Sequence, residues 1–188
     1  MPIDVRHYAE SIVLRNGRAA LLRAIRPDDR DRLATAFLGL EPESVYLRYF
    51  SYKHELTPAD LDRLCVPDFG ERVVLVVTLG SDPEEIVIGA GGYVAHAGAD
   101  GQRVAEVAFA VEEDFHGEGI ASKLLAVLIE VARQDGIDHL EAEVLARNAP
   151  MLQVFARSGL PMQRTHSEDG VVSVSMALAA PNPAGASR

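Results

Sequence analysis

A turn rich in small residues, between an apolar strand and a long amphipathic segment, is the part of this sequence best suited to bind a ligand. It lies within residues 111–122, where Gly117, Gly119 and Ala121 occupy alternating positions. Small residues let successive main-chain N–H groups converge on one point, and the N-terminus of a following helix adds partial positive charge there. Residues 116–122, the glycine turn, therefore predict an anion site for a phosphate or diphosphate.

Two common phosphate-binding motifs do not explain the glycine turn. Gly117-x-Gly119-x-x-Ser122 lacks the third glycine of a dinucleotide-binding fingerprint, although Glu141 or Glu143 could act as its ribose-binding acid. The preceding strands read as antiparallel, and only one strand–helix–strand unit follows, which is not the repeated unit of that fold. A P-loop is excluded because the chain has no Gly-Lys-Ser or Gly-Lys-Thr. A turn without a ligand is the remaining alternative at this stage.

Composition limits the class of protein. With 188 residues, 48% of them apolar and 24% charged, the chain predicts one globular domain with a sizeable core. The net charge of −10 argues against nonspecific nucleic-acid binding, which needs a basic face. The single cysteine, Cys65, excludes an internal disulfide and a cysteine-based zinc site, and the six histidines show no ligand-like spacing, so we expect no metal. No apolar run is long enough for a membrane span and no secretory signal is recognisable, so we expect a cytoplasmic protein with no membrane partner.

The elements that must position the glycine turn follow from hydrophobic periodicity and from turn-forming residues. The pattern predicts strands at residues 11–14 and 19–25 around an Asn16-Gly17 hairpin turn, a helix ending near Leu40, helical stretches at 44–50 and 57–65, a meander of strands at 73–77, 86–93 and 104–111, a helix at 121–133, a strand at 139–145, a helix led by Asn148, and a final strand at 171–178. No internal repeat or linker divides the chain.

This order of elements resembles the GCN5-related N-acetyltransferase (GNAT) family. The glycine turn is similar to the family's acetyl-CoA signature, (Gln/Arg)-x-x-Gly-x-(Gly/Ala), matching at Gly119 and Ala121, with His116 where Gln or Arg is usual. Residues 148–159, led by Asn148, resemble a second family motif in spacing. The resemblance covers residues 20–178. We therefore expect an N-terminal strand or hairpin extension at 1–19, a GNAT domain at 20–178 and a disordered tail at 179–188.

The resemblance implies an α/β fold, of mixed α+β character, built on a mixed sheet. A mostly antiparallel N-terminal meander is followed by a strand–helix–strand unit, with helices on both faces of the sheet. It also implies acetyl-CoA as co-substrate, with the diphosphate on the glycine turn and the pantetheine arm beside a strand that splays from its neighbour. The residues implied to bind acetyl-CoA are Phe109, Val111, His116, Gly117, Glu118, Gly119, Ile120, Ala121, Ser122 and Asn148. Phe109 and Val111 would act through their main chains, and Asn148 would bind pantetheine or cap its helix.

Glu106 is the candidate general base. It lies in an otherwise apolar run, residues 104–111, where an acidic residue is unexpected unless it has a function. The resemblance implies the same role, because the lysine acetyltransferase branch of the family places a catalytic glutamate on this strand. Neutralising a lysine with a pKa of ~10.4 costs roughly 4.6 kcal/mol at pH 7, and a nearby carboxylate can accept the proton. The alternative is an edge-strand glutamate in solvent or paired with Arg103. Phe155 occupies the place of a tyrosine that protonates the leaving thiolate in many relatives, so either Tyr93 or water would supply that proton.

A narrower likeness concerns the acceptor. Residues 43–50, 105–109 and 143–148 resemble the bacterial protein-lysine acetyltransferase branch, whose members modify acyl-CoA synthetases. The likeness implies a protein lysine as acceptor. A small amine acceptor, or a non-catalytic acyl-CoA-binding module, remains an alternative, and a homodimer is compatible with the sequence. An aromatic and basic cluster would either dock a protein substrate or pack into the core; it comprises Tyr46, Arg48, Tyr49, Phe50 and Tyr52.

Overall fold

The computed structural model describes residues 2–42, 45, 54–166 and 169–178. Its strands are β1 (Ala9–Val13), β2 (Ala19–Ala24), β3 (Arg72–Leu79), β4 (Ile86–Ala97), β5 (Arg103–Val111), β6 (His139–Leu145), β7 (Met162–His166) and β8 (Val171–Ala177). Its α-helices, within those residues, are α1 (Arg30–Leu38), α2 (Pro58–Cys65), α3 (Ile120–Gln134) and α4 (Ala149–Ala156). The eight strands form one sheet in the order β1-β2-β3-β4-β5-β6-β8-β7.

Neighbouring strands of this sheet are antiparallel except β5 and β6, which run parallel and are joined through α3. The first five strands therefore form a meander, and β5–α3–β6 is the strand–helix–strand unit that follows it. Parallel neighbours need such a crossover because the C-terminal end of the first strand and the N-terminal end of the second lie at opposite ends of the sheet. The mixed sheet with its antiparallel meander confirms the fold class expected from the sequence.

Helices cover both faces of the sheet. On one face α1 buries Phe37 in a cluster with Val74 of β3, and on the other face α3 buries Leu124 in the larger cluster with Leu75. Side chains alternate between the faces along a strand, so β3 needs apolar residues at consecutive positions. This requirement explains the unbroken apolar run in residues 73–77.

Glycines of β4 allow α3 and the ring of Phe109 to pack close to this strand. A Cβ on Gly91 would lie 2.5 Å from the ring of Phe109, and a Cβ on Gly89 would lie 2.7 Å from Cγ2 of Ile120. Real Cβ atoms do not approach other atoms so closely, so any larger residue would push the ring or the helix away. Glycine at these two positions of β4 thus sets how closely the first turn of α3 can approach the sheet.

A buried ionic cluster connects β2, the start of α1 and the β3–β4 turn. Arg23 is 1% exposed; its Nη1 and Nη2 each donate to Asp29 at 2.7 Å, and its Nε and Nη2 donate to Glu85 at 3.1 Å. Burial alone would raise the pKa of Asp29, but the hydrogen bonds and charge of Arg23 outweigh burial and lower it. The cluster holds α1 against the sheet.

The predicted elements agree with the structure except at one strand, β7, which the sequence pattern did not reveal. Gln163, Arg164 and Thr165 of β7 are exposed, so this edge strand lacks the apolar alternation that marks a strand in sequence. The predicted helical stretch at 44–50, the aromatic cluster after it and the tail at 179–188 lie outside the described residues, apart from Val45. No helix in the described part of the chain is long and apolar enough to span a membrane.

Candidate active site

The glycine turn has the backbone geometry that an anion site requires. Gly117 and Gly119 adopt φ of +80° and +85°, in the left-handed region that other residues rarely occupy. Gly119 is the N-cap of α3, and its carbonyl accepts the N–H of Lys123 at 3.1 Å. The first N–H groups of the helix have no partner within the helix, so they point out of its N-terminus, where the dipole favours negative charge.

A cleft of about 810 Å³, the splayed cleft, opens between β5 and β6 beside the glycine turn. The two strands pair only at Val104–His139, Ala105–Leu140 and Glu106–Glu141, whereas β5 stays paired with β4 as far as Val111. The second half of β5 therefore has a strand on one side and the cleft on the other. This separation is the splay expected from the family resemblance.

Hydrogen bonds at the two ends of β5 define which main-chain groups face the cleft. The Arg103 carbonyl accepts the N–H of Asp138 at 2.7 Å, and the Val111 carbonyl lies 2.8 Å from Nε2 of His116. Both carbonyls point away from β4, and main-chain groups alternate in direction along a strand. The N–H and carbonyl of Phe109 and the N–H of Val111 consequently face the cleft, while the Val111 carbonyl is already engaged by His116.

The structure brings nearly all of the sequence-predicted ligand-binding residues together. The predicted residues that line the splayed cleft are Glu106, Phe109, Val111, His116, Gly117, Gly119, Ile120, Ala121, Ser122 and Asn148. Glu118 differs because its carboxylate accepts the main-chain N–H of Asn16 at 2.8 Å. The Glu118 side chain thus holds the β1–β2 turn against the glycine turn. Its main-chain N–H donates to the Phe115 carbonyl at 3.3 Å, and its carbonyl accepts the N–H of Arg15 at 3.4 Å.

Asn148, the N-cap of α4, and Phe155 of α4 also line the splayed cleft. Asn148 caps the helix, its Oδ1 accepting the N–H of Met151 at 3.3 Å, so its amide NH₂ is the group it would offer to a ligand. Phe155 is 1% exposed, and its ring centroid lies 6.1 Å from that of Phe109. This aromatic pair is tilted by 58° and packs the wall of the cleft against β5.

Tyr93 does not line the splayed cleft, so its hydroxyl is not placed to protonate a thiolate that leaves there. The hydroxyl donates to Asp135 at 2.5 Å, just beyond the C-terminus of α3. Burial and the Asp135 hydrogen bond both raise the pKa of Tyr93, which makes it a poorer acid. Its role in the fold is a buried link between β4 and α3.

A second cavity of about 320 Å³, the α1–α2 pocket, lies on the opposite face of the sheet. Glu106, Ala108 and Ala110 of β5 line both this pocket and the splayed cleft. Glu106 is exposed, so its carboxylate is accessible at the boundary between the two cavities. Glu112 borders only the α1–α2 pocket, where burial and the charges of its acidic neighbours raise its pKa. A molecule in the pocket could therefore meet one in the cleft beside Glu106.

Three arginines that the sequence analysis did not select line the splayed cleft: Arg15, Arg147 and Arg157. Arg147 is adjacent to Asn148, so the sequence motif that Asn148 leads could have indicated that Arg147 lies in the cleft. Arg15 belongs to the β1–β2 turn, and no pattern in its own segment points to the cleft. Among the described residues, no group of three His, Cys, Asp or Glu side chains is arranged as metal ligands would be.

The fold and this site are those of an acetyltransferase domain. The sequence profile described as an acetyltransferase (GNAT) domain matches residues 20–161. The chain therefore belongs to the GNAT acetyltransferase family, as its two motifs predicted.

Relatives over most of the chain agree with this assignment. Acetyltransferase PA5475 of Pseudomonas aeruginosa is 30% identical over 176 residues, covering 94% of this chain and 92% of that protein. The crystal structure of the GNAT domain of S. lividans PAT is 36% identical and superimposes with a TM-score of 0.79, covering 90% of this chain and 96% of that one. Acetyltransferase Pat of Mycolicibacterium smegmatis is 31% identical over 148 residues, 79% of this chain but only 43% of Pat. These similarities confirm the resemblance to the Pat-type branch.

Proposed function

We propose that this acetyltransferase transfers an acetyl group from acetyl-CoA to a lysine side-chain amine of a protein, by direct attack of the amine on the thioester. The observation that carries the proposal is the position of Glu106 on β5, a strand that borders both the splayed cleft and the α1–α2 pocket. Similarity to S. lividans PAT and to Pat of M. smegmatis supports a protein acceptor, and the single cysteine supports a cytoplasmic location.

Acetyl-CoA binds in the splayed cleft in this proposal. Its diphosphate accepts hydrogen bonds from the N–H groups between Gly117 and Ser122, at the positive end of α3. The pantetheine arm lies along β5 and bonds to the main-chain groups of Phe109 and to the amide of Asn148. A main-chain N–H of β5 polarises the acetyl carbonyl and stabilises the negative charge that develops on its oxygen.

The acceptor amine enters from the α1–α2 pocket and loses a proton to Glu106, directly or through a water molecule. The neutral nitrogen forms a bond to the carbonyl carbon, and the carbon–sulfur bond of the thioester breaks. The nitrogen then releases its second proton to water, which leaves a neutral amide. Phe155 carries no proton to give, so CoA leaves as a thiolate and takes a proton from water. Since a thiol has a pKa near ~8.5, this departure does not require an acid of the enzyme.

A pair of glutamine variants tests the role of Glu106. Glu106→Gln should lower kcat by about 10²- to 10⁴-fold, the range for loss of a general base, with an unchanged Kd for acetyl-CoA. Glu141→Gln is the matched control, because Glu141 pairs with Glu106 across the β5–β6 ladder, is also exposed and does not line either cavity. We expect near-wild-type turnover from the control. Near-wild-type turnover by Glu106→Gln would refute its role as base.

The acceptor is tested by measuring CoA release from acetyl-CoA with a panel of acyl-CoA synthetases and a panel of small amines. We expect turnover with one or more synthetases, and acetyl-lysine in the modified protein by mass spectrometry. Turnover only with small amines would replace the protein acceptor by a small one. Tight acetyl-CoA binding without turnover, in these panels and in cell lysate, would identify a non-catalytic acyl-CoA-binding module.

A further inference from the structure

The turn between β1 and β2 rests directly on the glycine turn. Nη1 of Arg15 donates to the carbonyl of Gly117 at 2.8 Å, and the N–H of Asn16 donates to the carboxylate of Glu118, also at 2.8 Å. Each bond joins residues 102 positions apart in sequence. The N-terminal hairpin therefore supports the main chain that forms the anion site.

Arg15 also lines the splayed cleft itself. Its Nε lies 3.6 Å from the position that a Cβ on Gly119 would take, so the guanidinium stands beside the N-cap of α3. A guanidinium has five N–H donors in a planar fork, and the bond to Gly117 uses one of them. The side chain is exposed, so its remaining donors can be reached by a ligand in the cleft.

The negative charge around the glycine turn is unfavourable to an anionic ligand. The segment just before and within the turn carries four carboxylates: Glu112, Glu113, Asp114 and Glu118. The chain as a whole has a net charge of −10, so it repels an anionic ligand at long range. In the motif position where the family usually has Gln or Arg, this chain has His116, whose Nε2 is directed to the Val111 carbonyl. Arg15 is the arginine placed beside the turn.

We propose that Arg15 binds the diphosphate of the acyl-CoA co-substrate, completing the ring of main-chain donors with a charged fork. The inference rests on acetyl-CoA binding in the splayed cleft, as proposed above. Arg15 lies before the segment, residues 20–161, that matches the GNAT profile. A guanidinium suits a diphosphate because its parallel N–H groups match two oxygen atoms at once.

The test is the Kd of acetyl-CoA and of 3′-dephospho-acetyl-CoA, measured by calorimetry at two salt concentrations. Arg15→Gln should raise the Kd of both ligands by about 10-fold, the lower end for a charge-assisted hydrogen bond because the site is exposed. It should also weaken the dependence of the Kd on salt, since one ion pair is removed. Arg15→Lys, which keeps the charge but not the fork, should recover part of the affinity.

Arg164→Gln is the control for loss of one positive charge. Arg164 is also exposed but lies on β7, at the opposite edge of the sheet from β1. We expect this variant to bind both ligands with a Kd within about 2-fold of the wild-type value. An unchanged Kd in Arg15→Gln would overturn the proposal. A rise in Kd with unaltered salt dependence would also overturn it, because that result indicates only a supporting role through Gly117. A rise confined to acetyl-CoA would move the contact to the 3′-phosphate and overturn the diphosphate assignment.

This binding measurement separates the two proposals. Wild-type protein that binds acetyl-CoA tightly, with a weakened Arg15→Gln variant, supports the Arg15 contact even if every acceptor fails. If the wild-type protein turns over an acceptor and Arg15→Gln binds acetyl-CoA with an unaltered Kd, the Arg15 contact is overturned and the enzymatic proposal remains intact. Wild-type protein that binds neither ligand would overturn both.

Discussion

Alanine at Gly119 is the substitution that most directly tests the geometry of the proposed anion site. Gly119 has φ of +85°, and a Cβ there would approach Nε of Arg15 only to 3.6 Å, an ordinary contact. The cost of Gly119→Ala is therefore backbone strain and not a clash, about 1–2 kcal/mol for a left-handed residue with a Cβ. Gly136, just beyond the other end of α3, has φ of +68° with nothing within 4 Å of its Cβ position. Gly136→Ala should cost a similar amount.

The two variants should differ in binding. If alanine keeps the left-handed conformation, the strain appears as a fall in Tm of about 2–8 °C for a chain of this size. If the turn relaxes, its N–H groups rotate and must be restored on binding, so the Kd of acetyl-CoA rises by as much as about 5- to 30-fold. Gly119→Ala should show either effect or a mixture of both, whereas Gly136→Ala should lower only the Tm.

Thermal unfolding followed by circular dichroism, together with calorimetric titration of acetyl-CoA, measures both quantities on the same samples. The reasoning is refuted if Gly119→Ala matches the wild-type protein in both Tm and Kd. It is equally refuted if Gly136→Ala weakens binding as much as Gly119→Ala, because the effect would then come from α3 in general and not from the glycine turn.

Three further predictions concern buried groups. The folded protein lowers the pKa of Asp29 from 3.8, so ionised Asp29 stabilises the fold above that pH. This stabilisation is lost as the pH falls through the pKa of Asp29 in the folded protein. Asp29→Asn should lower the free energy of unfolding by about 3 kcal/mol near pH 7 and flatten its acid dependence, both measured by urea unfolding. Tyr93→Phe removes the bond to Asp135 and should cost about 1 kcal/mol of stability with kcat unchanged in the CoA-release assay; a large fall in kcat would contradict this. Cys65 is 1% exposed and burial raises the pKa of its thiol to about 11, so a thiol reagent should label it only in denaturant, and fast labelling of the folded protein would be inconsistent with the structure.

The parts of the fold that sequence reasoning predicted are those with a local physical signal. Thr57 accepts the N–H of Asp60 at the start of α2, as a capping residue should, and Asn148 caps α4 in the same way. The interior strands carry apolar residues because both faces are covered by helices. β7 escaped prediction because its central residues are exposed at the edge of the sheet, where burial imposes no alternation.

Within the candidate site, the sequence alone determined the glycine turn, because left-handed glycines and the start of an amphipathic helix are properties of neighbouring residues. It also singled out Glu106, since an acid within an apolar strand is visible without coordinates. Only the tertiary structure decided that β5 parts from β6 after Glu106, that Tyr93 binds Asp135, and that Arg15 reaches the cleft. Those facts depend on how strands and helices distant in sequence pack together, and the local pattern of residues does not contain that information.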